Sequence, residues 1–203
     1  MSSGVYAATL AIMEADDAEL TSAELRRFTR REYDELVNKG YFEDEKIELL
    51  RGLLVTMSPE GDEHYSITSL IANVITRALP ERFGIATNAP FCATDDSEPE
   101  PDICVFDRTR FPRTKPTESL LIVEVAYSSI RRDRNVKLPI YAEANVPEYW
   151  IILVATQTVE VYTEPRNGTY TKMEKILPDG VLRPRIDPTI AIEMRSLPWP
   201  EPS

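Results

Sequence analysis

The residue that most constrains this chain is Glu124. It lies inside the apolar run Leu120-Leu121-Ile122-Val123-Glu124-Val125-Ala126. That run is short, β-branched and bounded by turn residues, so it reads as a buried strand. A carboxylate buried in a strand costs on the order of several kcal/mol unless something pairs with it. A second apolar run, Ile103-Cys104-Val105-Phe106, reads as a neighbouring buried strand and opens with Pro101-Asp102. Asp102, at the mouth of that strand, could share a cation with Glu124. A basic helical segment, Arg131 to Lys137, follows, and Lys137 could supply a positive charge nearby. Two acids on adjacent strands plus a lysine form the minimal set for metal-assisted phosphodiester hydrolysis.

The rest of the sequence sets the frame for those residues. A chain of 203 residues, 42% of them hydrophobic, suits one domain with a substantial core. We expect a flexible tail over 1–20, a single domain over 21–197 and a short tail over 198–203. No apolar run approaches the ~20 residues of a membrane helix. The stretch Met1 to Met13 lacks a basic start and runs into Glu14, Asp16, Asp17 and Glu19, so it does not read as a signal peptide. The two cysteines, Cys92 and Cys104, sit in apolar text and read as buried thiols rather than a disulfide, which fits a cytoplasmic setting. The net charge of −11 argues against coating nucleic acid through bulk electrostatics. Charge is local, however. Arg26, Arg27, Arg30 and Arg31 form one basic group, and Arg131, Arg132, Arg134 and Lys137 another.

In chain order, Thr21 to Glu24 and Thr29 to Glu32 both fit a capping box. The second opens a helix through about residue 38, stopped by Gly40. Residues 45–57 alternate as a strand pair turning at Arg51-Gly52. Glu48 precedes that turn, and a solvent-facing strand residue is as good a reading of it as a site residue. Ser58 to Gly61 is a loop. A helix follows the lone histidine, His64, with Ile67, Leu70, Ile71, Val74 and Ile75 at helical spacing up to Pro80. A strand is expected from Ile85 to Ala93, then a solvated acidic loop holding Asp95, Asp96, Glu98 and Glu100. A helix from about Arg131 to Ala144 carries Asp133, Lys137 and Tyr141 on one face, with Pro139 inside it as a source of kinking. Tyr149 to Val154 reads as a strand. The hairpin around Pro165-Arg166-Asn167-Gly168 and a last strand near Ile190-Ala191-Ile192 complete the domain.

These segments carry a family resemblance. Pro101-Asp102, Glu124 in a strand and a nearby lysine resemble the PD-(D/E)xK nuclease pattern. The order of further segments is similar to the Uma-two family of restriction-endonuclease-like proteins. Those segments are Glu48-Leu49-Leu50-Arg51-Gly52, Met57-Ser58-Pro59, His64, Pro101-Asp102-Ile103, Val123-Glu124-Val125, Ser128-Ser129, Asp133, Lys137-Leu138-Pro139, Tyr141-Ala142, and Val146 through Ile151. The match spans roughly residues 29–195. Two positions depart from the pattern. The usual lysine position holds Ala126, so that role passes to Lys137, a migration the family often shows. Leu153-Val154 stand where many relatives carry Asp.

The resemblance implies an α/β (α+β) restriction-endonuclease-like fold, with a central mixed β-sheet flanked by helices. It implies a Mg²⁺- or Mn²⁺-dependent nuclease with Glu48, Asp102, Glu124 and Lys137 as catalytic residues. Asp102 and Glu124 would hold the metal, and His64 and Tyr141 would border the site. Arg131, Arg132 and Arg134 would contact nucleic acid, DNA first. A homodimer is compatible with this reading, and no membrane partner is expected. The rival reading is a non-catalytic binding or regulatory protein that retains the nuclease fold, its acids serving as structural ion pairs such as Glu124 with Lys137.

Overall fold

The computed structural model describes residues 25–57, 61–111 and 113–200. The first capping box, the tail expected over 1–20 and most of the 58–61 loop lie outside the described residues. Helix α1 (Arg30–Asn38) starts on the second capping box: Thr29 and Glu32 exchange side-chain-to-backbone hydrogen bonds. It ends where Gly40 takes φ +79° and the Tyr41 amide reaches back to Leu36 O. Strands β1 (Ile47–Leu50) and β2 (Leu53–Thr56) form an antiparallel hairpin. Its turn residues Arg51 and Gly52 both have positive φ, as a tight hairpin turn of this hand requires. A side chain at position 52 would also run into Arg27 Cβ and the Phe28 carbonyl.

Helix α2 (Asp62–Ala78) follows, then β3 (Phe83–Ala86), β4 (Ile103–Asp107) and β5 (Leu121–Ala126). Helix α3 is built of three consecutive pieces, Ile130–Arg132, a π-helical turn Asp133–Lys137, and Leu138–Glu143. Strands β6 (Glu148–Leu153), β7 (Thr158–Arg166) and β8 (Thr169–Ile176) come next, and a small separate ladder pairs β9 (Val181–Leu182) with β10 (Ile192–Glu193). The central sheet has the order β3-β4-β5-β6-β7-β8. Only β5 and β6 run parallel; α3 is the crossover between them.

The sheet carries a core on each face. On one, Ile67, Ile71 and Ile75 of α2 pack on Ile103, Val105, Leu121, Val123, Val125, Trp150 and Ile152. Each fully buried isoleucine of this kind contributes about 1.5–3 kcal/mol. On the other, Tyr141 and Ala142 of α3 pack on Ile122, Ala126, Tyr149 and Ile151. Glu124 lies two residues from both Ile122 and Ala126 and so shares their face, the α3 face.

Several segments depart from the sequence expectations. β3 stops at Ala86, not Ala93, because Asn88 adopts a positive φ and breaks the extended chain. The acidic loop is not solvated throughout: Ser97 and Glu98 are buried, and Leu49 and Glu98 exchange backbone hydrogen bonds. The expected last strand around residues 190–192 shrinks to Ile192–Glu193 and pairs with β9 in a small separate ladder. Past Pro198, Trp199 packs against the α2-side core and donates its indole N–H to Met194 O.

Candidate active site

The antiparallel register of β4 and β5 pairs Ile103 with Val123. Continued by one residue, it sets Asp102 across from Glu124, the arrangement in which cross-strand side chains share a face. The ladder itself ends there. The Val125 amide donates to Asp102 Oδ2 instead (2.6 Å), and His64 Nε2, from the first turn of α2, lies 3.0 Å from the same oxygen. Asp102 therefore has Oδ2 fixed by β5 and α2.

Glu124 is fixed from α3. Lys137 Nζ donates to Glu124 Oε1 at 3.0 Å, and Tyr141 Oη donates to the same oxygen at 2.6 Å. Lys137 also lies 3.1 Å from Glu48 Oε2, which in addition accepts the Glu100 amide. The π-helical turn contributes here. Pro139 lacks an N–H, and its ring crowds the carbonyl a turn earlier. The chain widens just before it, with the Leu138 amide bonding to Asp133 O. Asp133 and Lys137, the first and last residues of that turn, are both buried and both line the same cleft.

Four carboxylates thus surround one buried ammonium. Burial pushes Glu124 well above the ordinary carboxylate range. Lys137 pulls it down, and the charges of Asp102, Asp133 and Glu48 push it further up. Asp133 is likewise raised, by burial first, although Lys137 and the Ser129 hydroxyl, which donates at 2.6 Å, oppose this. Burial alone would lower Lys137; the surrounding acids outweigh it and hold its pKa above the usual lysine value.

The cleft has a volume of about 320 Å³ and is lined by Met57, Gly61, Glu63, His64, Asp102, Glu124 and Val125 together with residues 127–129, Arg132, Asp133 and Lys137. Glu48 does not line it; fully buried, it stands behind Lys137, so its solvent-facing alternative is overturned. Tyr141, expected at the rim, is fully buried beneath Glu124. His64 lines the cleft. The three arginines separate. Arg132 lines the cleft, with Nε 3.8 Å from Glu48 Oε1, while Arg134 turns away to a two-point pair with Glu160 at 2.6 and 2.9 Å, and Arg131 is exposed. Asp133 and Ser129 are members of this site that sequence reasoning did not select as site residues. Both stand among the segments that carry the family resemblance, and Asp133 also lies one helical turn before Lys137.

Among the described residues, no three His, Cys, Asp or Glu side chains form a ready-made metal cage. The two strand acids nevertheless offer oxygen donors. Among the described residues, each takes its hydrogen bonds on one oxygen, Asp102 on Oδ2 and Glu124 on Oε1. Such a pair fits a hard cation of the Mg²⁺ type, which takes one or two protein carboxylates and fills its other positions with water and substrate phosphate.

Among curated proteins none matches the sequence. Among solved structures, the fold resembles a protein from Anabaena variabilis described as a putative nuclease of the DUF820 group. The TM-score is 0.65 at 20% identity, covering 76% of this chain and 90% of that one. The sequence profile of the Uma2 family, described as "Putative restriction endonuclease", matches residues 30–196. That span takes in every residue of the acid–lysine cluster, and the chain belongs to the Uma2 family.

Proposed function

We propose that this protein is a Mg²⁺-dependent endonuclease that hydrolyses phosphodiester bonds of nucleic acid, with Mn²⁺ able to replace Mg²⁺. The observation that supports it best is the divided use of the two strand acids. Asp102 and Glu124 each spend one carboxylate oxygen on the protein and line a cleft. Asp102 and Glu124 would hold the cation, which when bound supplies Lewis-acid activation of water and phosphate.

The chain's own residues have separable tasks. His64 and the Val125 amide hold Asp102 by Oδ2. Tyr141 and Lys137 hold Glu124 by Oε1. Lys137 keeps a fixed positive charge at the cleft wall, where a phosphate gathering charge is stabilised without reorganisation. Glu48 does not touch substrate; it positions Lys137 from behind. Arg132 offers the cleft a second cation for phosphate.

A second reading has its own support. Lys137 is only 2% exposed and is bonded to both Glu48 and Glu124, as in a structural ion pair. On that reading the protein binds and does not cut. One assay separates the two. Single-stranded, duplex and branched DNA, and RNA, are incubated at low salt with Mg²⁺, Mn²⁺ or chelator. The nuclease reading expects metal-dependent cleavage that disappears in Asp102→Ala and Glu124→Ala. No cleavage of any substrate, with no metal binding by calorimetry, selects the binding protein.

A further inference from the structure

The cleft is poor in available cations. Lys137 is saturated by acids, and Arg134 is tied to Glu160. Elsewhere Arg51 is paired with Glu143, Arg110 with Glu118 and Lys115 with Asp34 and Glu98. Arg132 is the one further cation on the cleft wall among the described residues. With a net charge of −11 behind it, this cleft offers few cations to phosphate, and phosphate contacts supply most of the affinity for long duplex DNA. Affinity must come from elsewhere.

Tyr127 supplies it. It follows Ala126 directly at the end of β5, lines the cleft and leaves two-thirds of its surface open, at 66% exposure. An aromatic ring this exposed at a cavity wall has no role in the core. Met57 and Val125 add apolar lining beside it. A volume of about 320 Å³ lies at the lower end of small-molecule sites, enough for one nucleotide rather than a duplex. Base stacking on an aromatic ring is strong, independent of sequence and independent of phosphate charge.

We propose that Tyr127 is a stacking platform for an unpaired base, and that the substrate of this cleft is single-stranded nucleic acid. The inference deepens the nuclease reading and rests on it only for the identity of the ligand. The base stacks on Tyr127, and its backbone phosphate passes towards Arg132. A duplex, whose bases are already stacked, gains nothing from Tyr127.

The test is a binding measurement with chelator present, so that no chemistry is required. The probes are a fluorescein-labelled oligothymidine and a duplex of the same length, read by anisotropy. Tyr127→Ala is expected to weaken oligothymidine binding by roughly fivefold to a hundredfold. Tyr127→Phe should match the wild type and Tyr127→Trp equal or exceed it. Tyr41→Ala is the control, since Tyr41 is as exposed (67%) but does not line the cleft. The salt dependence should be shallow, with a log–log slope of about −0.7 for each phosphate held. Thermal unfolding checks that the variants remain folded. Unchanged oligothymidine binding in Tyr127→Ala, equal losses for both probes, tighter binding of duplex than of single strand, or no binding to either probe would overturn the proposal. Tyr127-dependent binding without cleavage under any metal would instead overturn the nuclease reading and leave this one standing.

Discussion

Lys115 and Lys137 each bridge two carboxylates from distant parts of the chain. Lys115 Nζ lies 2.7 Å from Asp34 and 2.6 Å from Glu98; Lys137 Nζ lies 3.1 Å from Glu48 and 3.0 Å from Glu124. Judged by ion pairs alone the two clusters are equivalent. They differ in what is left over. In the Lys115 cluster the lysine side chain is 38% exposed, and the second oxygen of Glu98 is occupied by the Cys92 thiol at 3.4 Å. Around Lys137 the ammonium is enclosed, two further acids crowd in, and Asp102 and Glu124 each keep an oxygen that no described residue hydrogen-bonds, beside a cleft. A paired charge is a structural feature. Surplus acceptors facing a cavity are what make a site.

The largest expected effect is on stability at Lys137. Lys137→Met keeps the volume and removes the one ammonium held among the four acids. Losing one member of a buried pair costs about 3–5 kcal/mol. Lys115→Met should cost under about 1 kcal/mol, because the partly exposed pair is screened by water. Urea unfolding of both variants tests this, and equal losses would erase the distinction between the clusters.

Next in size is a divergence between stability and activity. In Glu124→Gln the amide oxygen still accepts from Tyr141, and Lys137 keeps Glu48. Stability should stay within about 1 kcal/mol of the parent, since burial already disfavours the charge at this position. Metal-dependent cleavage should fall by about a hundredfold or more, because a donor to the cation is lost. Glu98→Gln should do the reverse, costing about 1 kcal/mol and leaving cleavage intact. A cleavage defect in Glu98→Gln would show that the second cluster is not merely structural.

The two clusters were not equally legible in the sequence. Glu124, Asp102 and Lys137 stood out because charge inside or beside apolar strands is anomalous wherever it occurs. The Arg51-Gly52 and Asn167-Gly168 turns were legible too, since both residues of each pair adopt positive φ, which few sequences favour. The place of Glu48 behind Lys137 was not, because a charged residue in a short hairpin strand has no local mark of burial. Nor was the burial of Glu98: it depends on a long-range backbone pairing with Leu49 that no local pattern encodes. Arg134 looked equivalent to Arg132, and the turn of α3 sends it to Glu160 instead.

A smaller effect concerns pH. The folded state holds a proton on Glu124 to higher pH than the unfolded chain, whose ordinary value is 4.5. Between those two values the folded state binds more protons, so stability falls as pH rises. The contribution is fully present below 4.5 and is lost as pH climbs through the raised folded value. Asp133, raised from 3.8, acts in the same direction. Wild type should therefore lose stability relative to Glu124→Gln as pH increases from 4.5 towards neutrality. Urea midpoints for the pair across that range give the slope. A difference that is flat, or of opposite sign, would mean that Lys137 neutralises Glu124 completely.

The smallest expected effect reads the Lys115 cluster through its neighbouring thiol. Cys92 is buried at 7% exposure, and burial raises its pKa to about 11, with the charge of Glu98 adding to the rise and Arg30 opposing it. Cys104, at 1% exposure, is raised to about 12 by burial and touches no acid; the Ser119 hydroxyl beside it pulls slightly the other way. Both cysteines are free in the fold. Both should react far more slowly with a thiol reagent under native conditions than in denaturant, since the thiolate is the reactive form. Glu98→Gln removes the charge facing Cys92 and leaves Cys104 untouched. Its pKa should fall, and native alkylation of Cys92 should quicken by a few-fold, with Cys104 as an unchanging internal reference. Equal acceleration at both thiols would report general loosening of the fold. Acceleration at Cys92 alone would show that Glu98 holds the Cys92 thiol up, its two oxygens spent on Lys115 and the thiol, unlike the divided carboxylates of the cleft.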